Sequence, residues 1–258
     1  MKKLKTLIAA FLLVMVAQVN AQTADEVINN YFENIGGVEN LQKLDGIKIN
    51  ASLSQGGMEI PITIYQLKDG RQASIITFQG KEMKQGVYDG ENLWSTNFQT
   101  QKAERMDAET TANSKLDAND FPDSFLDYKE KGYTVEMMGK EDFKGTEVFK
   151  VKLVKEPMTV DGKPEESVSY YLFDTENYVP LAMQTEIKSG PAKGMVSEVT
   201  FSDYQEVDGL YFPFSMTQGV KDGQSAPITI KSIELNPTVE DTVFIYPSDE
   251  GSSEKDKN

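Results

Sequence analysis

Carboxylates dominate the side chains capable of chemistry in this sequence: 41 Asp and Glu stand against 26 Lys and Arg, with no cysteine and no histidine in 258 residues. Close carboxylates can act as general acid and base or coordinate calcium, and Asp89 with Glu91 and Asp117 with Asp120 are the pairs spaced for it. Neither lies in a D-x-[DN]-x-[DN]-G calcium loop, and a glycosidase pair is defined by a spatial separation that spacing along the chain does not encode. They read as solvated surface charge. Lacking imidazole and thiol, the chain has no Ser-His-Asp or Cys-His nucleophile, no thiolate or imidazole zinc site and no CxxC redox pair. Gly36-Gly37 and Gly56-Gly57 belong to no phosphate-cradling motif and read as turns. No catalytic residue, metal site or cofactor is expected, which points to a binding protein.

The elements that would position a binding surface begin after a leader. Lys2, Lys3 and Lys5 precede the apolar run Leu7 to Val16, and Val19-Asn20-Ala21 supplies short residues where cleavage needs them. Residues 1–21 read as a signal peptide cleaved after Ala21, since a spanning helix needs about 20 apolar residues. With no cysteine for lipidation, the expectation is an exported, periplasmic chain without a lipid anchor. The net charge of −15 argues against nucleic acid as a partner and disfavours anionic membranes.

Thr23-Ala24-Asp25-Glu26 has capping-box spacing, and Val27, Ile28, Tyr31, Phe32 and Ile35 then share one helical face up to Gly36-Gly37. A short second helical segment carries Val38, Leu41 and Leu44. From Ile47 the period becomes two, giving eleven or twelve short strands to Leu235, with Asp69-Gly70 and Asp89-Gly90 as turns. Hairpin spacing without strand–helix alternation predicts a mainly β domain over 22–247: one strongly curved antiparallel sheet with a few helices on a face or in a mouth. Residues 248–258 read as a disordered polar tail.

Asp107 to Glu130 interrupts the strands. There Phe121, Phe125 and Tyr128 fall at helical spacing behind Asp120 as a cap, and the segment suits either a mobile plug or lid or a permanent closure of the core. Trp94, on a strand after a turn, suits core or ligand contact. Met137, Met138, Met183, Met195 and Met216 lie on or beside late strands, where flexible thioethers suit an irregular apolar ligand or ordinary gap-filling.

Tyr88-Asp89-Gly90-Glu91-Asn92-Leu93-Trp94 resembles the Asp-Gly-x-x-Leu-Trp hairpin of the LolA/LolB lipoprotein-sorting family. Phe173-Asp174-Thr175 through Val179-Pro180-Leu181, Phe201-Ser202-Asp203-Tyr204, Ile233 to Asn236, Asp241-Thr242-Val243-Phe244 and Tyr246-Pro247 resemble its later strands in the same order. The resemblance implies an incomplete antiparallel β-barrel with a helical lid over an apolar cavity. It further implies an acylated lipoprotein or other lipid-like ligand, handed between membrane-bound donor and acceptor proteins. The chain departs from the family's arginine-bearing stretch, since only Arg71 stands there, and the lid-latching role is not carried over to it.

Together these readings predict a soluble, non-catalytic periplasmic carrier of lipoprotein acyl chains or a related amphiphile. Trp94, Phe121, Phe125, Tyr171, Met183, Phe201 and Phe214 are the candidate cavity-wall and lid residues, and Phe125→Asp is expected to weaken uptake more than folding. The alternatives are an envelope protein-interaction module with a filled core and, more remotely, a carboxylate-based hydrolase.

Overall fold

In the computed structural model, which describes residues 22–247, the capping box forms as its spacing requires. Thr23 Oγ1 accepts from the Glu26 N–H at 3.2 Å, and Glu26 Oε2 accepts from the Thr23 N–H at 2.8 Å, opening helix α1 (Ala24–Asn34). Gly36 ends it with φ +109°, and a Cβ there would meet the Gly209 carbonyl oxygen at 2.1 Å, so only glycine lets the helix end lie against the 208–209 turn. A short helix, α2 (Val38–Gln42), follows. The leader read in residues 1–21 and the tail read in 248–258 lie outside the described residues.

Thirteen strands then form a single antiparallel sheet. They are β1 (Gly46–Gln55), β2 (Met58–Leu67), β3 (Gln72–Phe78), β4 (Lys81–Tyr88), β5 (Leu93–Thr96), β6 (Ala103–Arg105) and β7 (Thr134–Phe143). After these come β8 (Thr146–Val160), β9 (Lys163–Asp174), β10 (Pro180–Glu186), β11 (Val196–Val207), β12 (Leu210–Val220) and β13 (Ser225–Leu235). Each strand pairs with its sequence neighbours except at one place, where β13 returns to pair with β1 and joins the two halves. The sheet does not close, because β6 and β7 remain its edges. Helix α3 (Ala108–Ala118) connects those two edge strands.

Register keeps one face apolar. In β1 the residues Ile47, Ile49, Ala51 and Leu53 share a face, and their β13 partners are Leu235, Ile233, Ile230 and Ile228. The spacing in β13 breaks alternation between 230 and 233, and a bulge opposite Asn50/Ala51 absorbs the extra residue, so all four side chains stay on the same side. The concave face carries this row and receives α1. Val27, Ile28, Tyr31 and Phe32 pack there with Phe125, Phe149, Val151, Leu153, Phe173 and Leu210 in the main core.

The opposite, convex face has two smaller clusters. Val148, Leu172 and Ala182 form one. Ala73, Val87 and Trp94 form the other beneath Phe244, and the C-terminal segment is strapped over it by Trp94 Nε1–H to the Phe244 carbonyl (3.1 Å) and Lys84 Nζ to the Val243 carbonyl (2.8 Å).

The mid-chain helix lies earlier than its apolar spacing predicts. Asp107 caps α3 by accepting from the Thr110 N–H at 2.7 Å, whereas residues 120–132 form successive turns. Pro122 disfavours a helical Phe121 and lacks an N–H, and Asp127 sits at φ 53°, so helical spacing of Phe121, Phe125 and Tyr128 does not become a helix. Pro157 sits within β8 in a bulge between Lys155 and Met158, where no ladder N–H is needed.

Candidate functional site

The concave face has two halves. The half where β1 begins is filled by α1. Toward the other end the same face continues as Ile62, Ile76, Leu53, Ile228, Met216 and Phe201, linked by the pairs Ile76–Ile62, Leu53–Ile228, Ile228–Met216 and Met216–Phe201. All six are only half-buried. These six form a continuous apolar stripe about a strand-half long, and the helix that fills the core, α1, packs on the other half.

Between these halves lies a cleft of about 200 Å³ lined by Tyr31 and Ile35 of α1, the Pro122-Asp123 turn, Tyr171, Phe201 and Phe212, among others. A second, polar cleft of about 260 Å³ adjoins it, lined by Gln66, Arg71, Gln72, Asp117, Asp120 and Ser124, among others. Pro122, Asp123 and Tyr171 belong to both and form the divide.

Asp123 fixes that divide. Its carboxylate accepts from the Tyr31 hydroxyl and from the Phe125 N–H, each at 2.7 Å. Burial raises its pKa against the lowering effect of those two donors. Burial, with the Asp123 charge second, holds Tyr31 well above the usual phenol range and pushes Tyr171 up to about 12. Both hydroxyls stay protonated, and that of Tyr31 donates to Asp123.

Asp120 anchors the same turn from below, with a side chain only 9% exposed. It accepts from Lys155 Nζ at 2.6 Å and from the Tyr133 hydroxyl at 3.0 Å, and Lys131 Nζ lies at 3.5 Å. Burial alone would lower Lys155, but Asp117 and Asp120 together raise it above the ordinary lysine value. At the N-terminus of α1, Asp25 accepts from the Tyr128 hydroxyl and pairs with Lys129 at 3.0 Å, which lowers its pKa in that order of effect.

Helix α3 borders the polar cleft through Asp117 and Ala118 and buries none of its residues. Its attachments are polar. Asn113 exchanges two hydrogen bonds with the Thr159 backbone (2.7 and 2.9 Å), Glu109 accepts from the Asp161 and Gly162 N–H groups (3.0 and 2.8 Å), and Ser114 meets Gln72 at 3.3 Å. A helix without an apolar face is held only by such contacts.

The candidate residues distribute unevenly. Tyr171 and Phe201 line the apolar cleft, and Phe121 lines the polar one. Met183 pairs with Tyr171, and Phe214 lies on the same face of β12 as Met216; both are half-buried on the concave side. Phe125 is 1% exposed and packs edge-on to Tyr171 and Tyr31, inside the core rather than at its mouth. Trp94 is on the convex face under the C-terminal strap, away from the others. Arg71 bonds Asp69 (2.8 Å) and Asp241 (2.7 Å), tying the strap to the β2–β3 turn. Asp89 is a turn former whose Oδ1 accepts from the Glu91 and Asn92 N–H groups. Sequence reasoning missed Asp123 and Tyr31, and the signal available was a carboxylate inside an otherwise aromatic segment. Among the described residues no cluster of three or more metal-ligating side chains is assembled, and no helix is long and apolar enough to cross a membrane.

No family model and no curated protein matches this chain by sequence. Solved structures match it by fold. A LolA superfamily protein from Nitrosomonas europaea superposes with a TM-score of 0.53 at 12% identity, covering 87% of this chain and 98% of that one. A protein described as an outer membrane lipoprotein-sorting domain, from Vibrio parahaemolyticus, gives 0.51 at 14% identity over 85% and 94% of the two chains. A DUF1329 family protein from Desulfovibrio piger gives 0.51 at 16% over 85% and 97%. The open, curved antiparallel sheet with helices is thus a fold this chain shares with those structures, a LolA superfamily protein among them.

Proposed function

We propose that this protein is a non-catalytic periplasmic carrier or binder of lipoprotein acyl chains or a related amphiphile. The observation that carries the reading is the concave apolar stripe from Ile76 through Leu53 and Met216 to Phe201, half-buried, beyond the half that α1 fills and continuous with the Tyr171–Phe212 cleft. Burying a chain there gains about 0.8 kcal/mol per CH₂, or about 12 kcal/mol for sixteen carbons. The polar cleft beside it supplies hydrogen-bonding groups for the less apolar part of an amphiphile. Phe121, Tyr171, Met183, Phe201 and Phe214 are the proposed lining. The LolA-type fold and the export signal read in residues 1–21 support the same assignment.

A cleft of about 200 Å³ is below the roughly 300–1,000 Å³ of sites that enclose drug-sized ligands, so an acyl chain must use the open stripe or displace a cover. Helix α3, which buries nothing, is the proposed cover. The small cleft and the filling of half the concave face by α1 and Phe125 favour a second reading, an envelope interaction module with a filled core.

Native mass spectrometry of the protein purified from its own periplasm, followed by lipid identification, separates the two. A stoichiometric acylated adduct is the expected result. A ligand-free mass that persists after acylated peptides are offered would overturn the carrier reading in favour of the interaction module.

A further inference from the structure

Of the four tyrosines lining the apolar cleft, three spend their hydroxyl protons on the protein. Tyr31 donates to Asp123 at 2.7 Å, Tyr204 to the Pro180 carbonyl at 2.7 Å and Tyr211 to Glu206 at 3.4 Å. Tyr171 differs. Its ring packs edge-on against Phe125, 4.7 Å between centroids, and holds its place on the divide that both clefts share. Its hydroxyl has no acceptor among the described residues: the Ser124 hydroxyl turns to Asp120 at 3.5 Å, and the two Asp123 oxygens serve Tyr31 and the Phe125 N–H. Nor is it sealed in. Among the described residues the enclosed side-chain atoms without a partner are Lys131 Nζ and Glu156 Oε2, so the Tyr171 hydroxyl opens on the clefts as a donor in want of an acceptor.

A donor left unpaired where an apolar cleft meets a polar one discriminates between ligands that can and cannot satisfy it. The charges acting on this hydroxyl are Asp123 and Asp120 against Lys155, two negative to one positive. Lys155 is shared between Asp120 and Asp117, and Arg71 in the lining of the polar cleft is held by Asp69 and Asp241. A carboxylate or phosphate at the divide would therefore meet a negative field with both cations already engaged. A neutral carbonyl oxygen accepts the hydroxyl proton without that opposition. Phe201, where the apolar stripe ends, lines the same cleft as Tyr171, so a chain lying on the stripe brings its first polar atom to this point.

We propose that the Tyr171 hydroxyl is a specificity-determining donor that takes the carbonyl oxygen of an acyl ester or amide. The hydrocarbon beyond that carbonyl follows the stripe from Phe201 through Met216, and a head bearing hydroxyl or N–H donors enters the polar cleft toward Asp117, Gln66 and Gln72. This role rests on the carrier reading and narrows the cargo to neutral ester- or amide-linked chains, with free fatty acids as the disfavoured class.

The test compares three single-chain ligands on the delipidated protein by displacement of bound N-phenylnaphthylamine. They are monopalmitin, its ether analogue hexadecylglycerol, which lacks the carbonyl, and palmitate. Monopalmitin is expected to bind about fivefold tighter than either. Tyr171→Phe should bring monopalmitin down to the affinity of the ether without weakening the ether, and should keep the unfolding midpoint, because the deleted hydroxyl has no partner in the protein. In the unsubstituted protein the infrared band of the bound, isotope-labelled ester carbonyl should lie at its hydrogen-bonded frequency, a reading that does not depend on how the variant folds. Ester and ether of equal affinity, palmitate as tight as the ester, a preference that survives Tyr171→Phe, or a free-carbonyl frequency would each overturn the role of Tyr171 and leave a carrier. Displacement by none of the three would overturn the carrier reading with it.

Discussion

The Tyr31 hydroxyl of α1 donates to the Asp123 carboxylate at 2.7 Å across 92 residues of chain. This bond ties the helix that fills half of the concave face to the turn that separates the apolar and polar clefts. Both partners are perturbed mainly by burial.

Asp123 gives a pH dependence of defined sign. Its pKa is higher folded than unfolded, so the protonated form favours folding: its contribution is fully present below the unfolded value and is lost as pH rises through the folded one. Asp123→Asn should therefore gain stability over the native protein at pH 7, and the gain should vanish in acid. Urea denaturation at both pH values measures it, and a gain independent of pH would sink the assignment.

Asp25 has the opposite sign. Tyr128 and Lys129 hold its pKa down, so its contribution is present above the unfolded value and is lost as pH falls through the folded one. The pair with Lys129 is exposed, and Asp25→Asn is expected to cost less than about 1 kcal/mol at neutral pH. Comparing the acid limbs of the two unfolding curves checks this.

Lys155→Met leaves Asp120 buried without its closest cation. Removing one partner of a buried pair costs about 3–5 kcal/mol, and Asp120 retains the Tyr133 hydroxyl at 3.0 Å with the more distant Ser124 hydroxyl and Lys131, both at 3.5 Å. Thermal unfolding should fall by several degrees, and Lys155→Arg should recover part of the loss.

Helix α3 should open without global unfolding. Asn113→Ala with Glu109→Ala removes four of its attachments while exposing no core. Hydrogen exchange over residues 108–118 should accelerate with little change in denaturation midpoint, and uptake of a fluorescent fatty acid should quicken. Slower uptake would remove α3 as the cover.

Phe125→Asp and Phe201→Asp should separate core from groove. Phe125 is 1% exposed among Tyr31, Tyr171 and Phe173, so a carboxylate there should prevent folding, the reverse of what its place in a lid would give. Phe201 is half-buried at the cleft. Its substitution should leave a folded protein, by circular dichroism, that no longer takes up acyl probes.

Local chemistry was legible in the residue order. The capping box at Thr23 and Glu26, the change of period at Ile47 and the Asp-Gly turns act over a few residues, and each appears where its spacing requires. The alternating strands could only form hairpins of one antiparallel sheet, and the fold follows from that. What needed the third dimension was every relation between distant segments. The return of β13 to β1, the face on which Trp94 lies, the burial of Phe125 and the meeting of Tyr31 with Asp123 depend on register and curvature that no local pattern specifies. Phe121, Phe125 and Tyr128 illustrate the reason: their spacing is helical, but Pro122 and the pull of the aromatic core on Phe125 outweigh a propensity worth only tenths of a kcal/mol per residue.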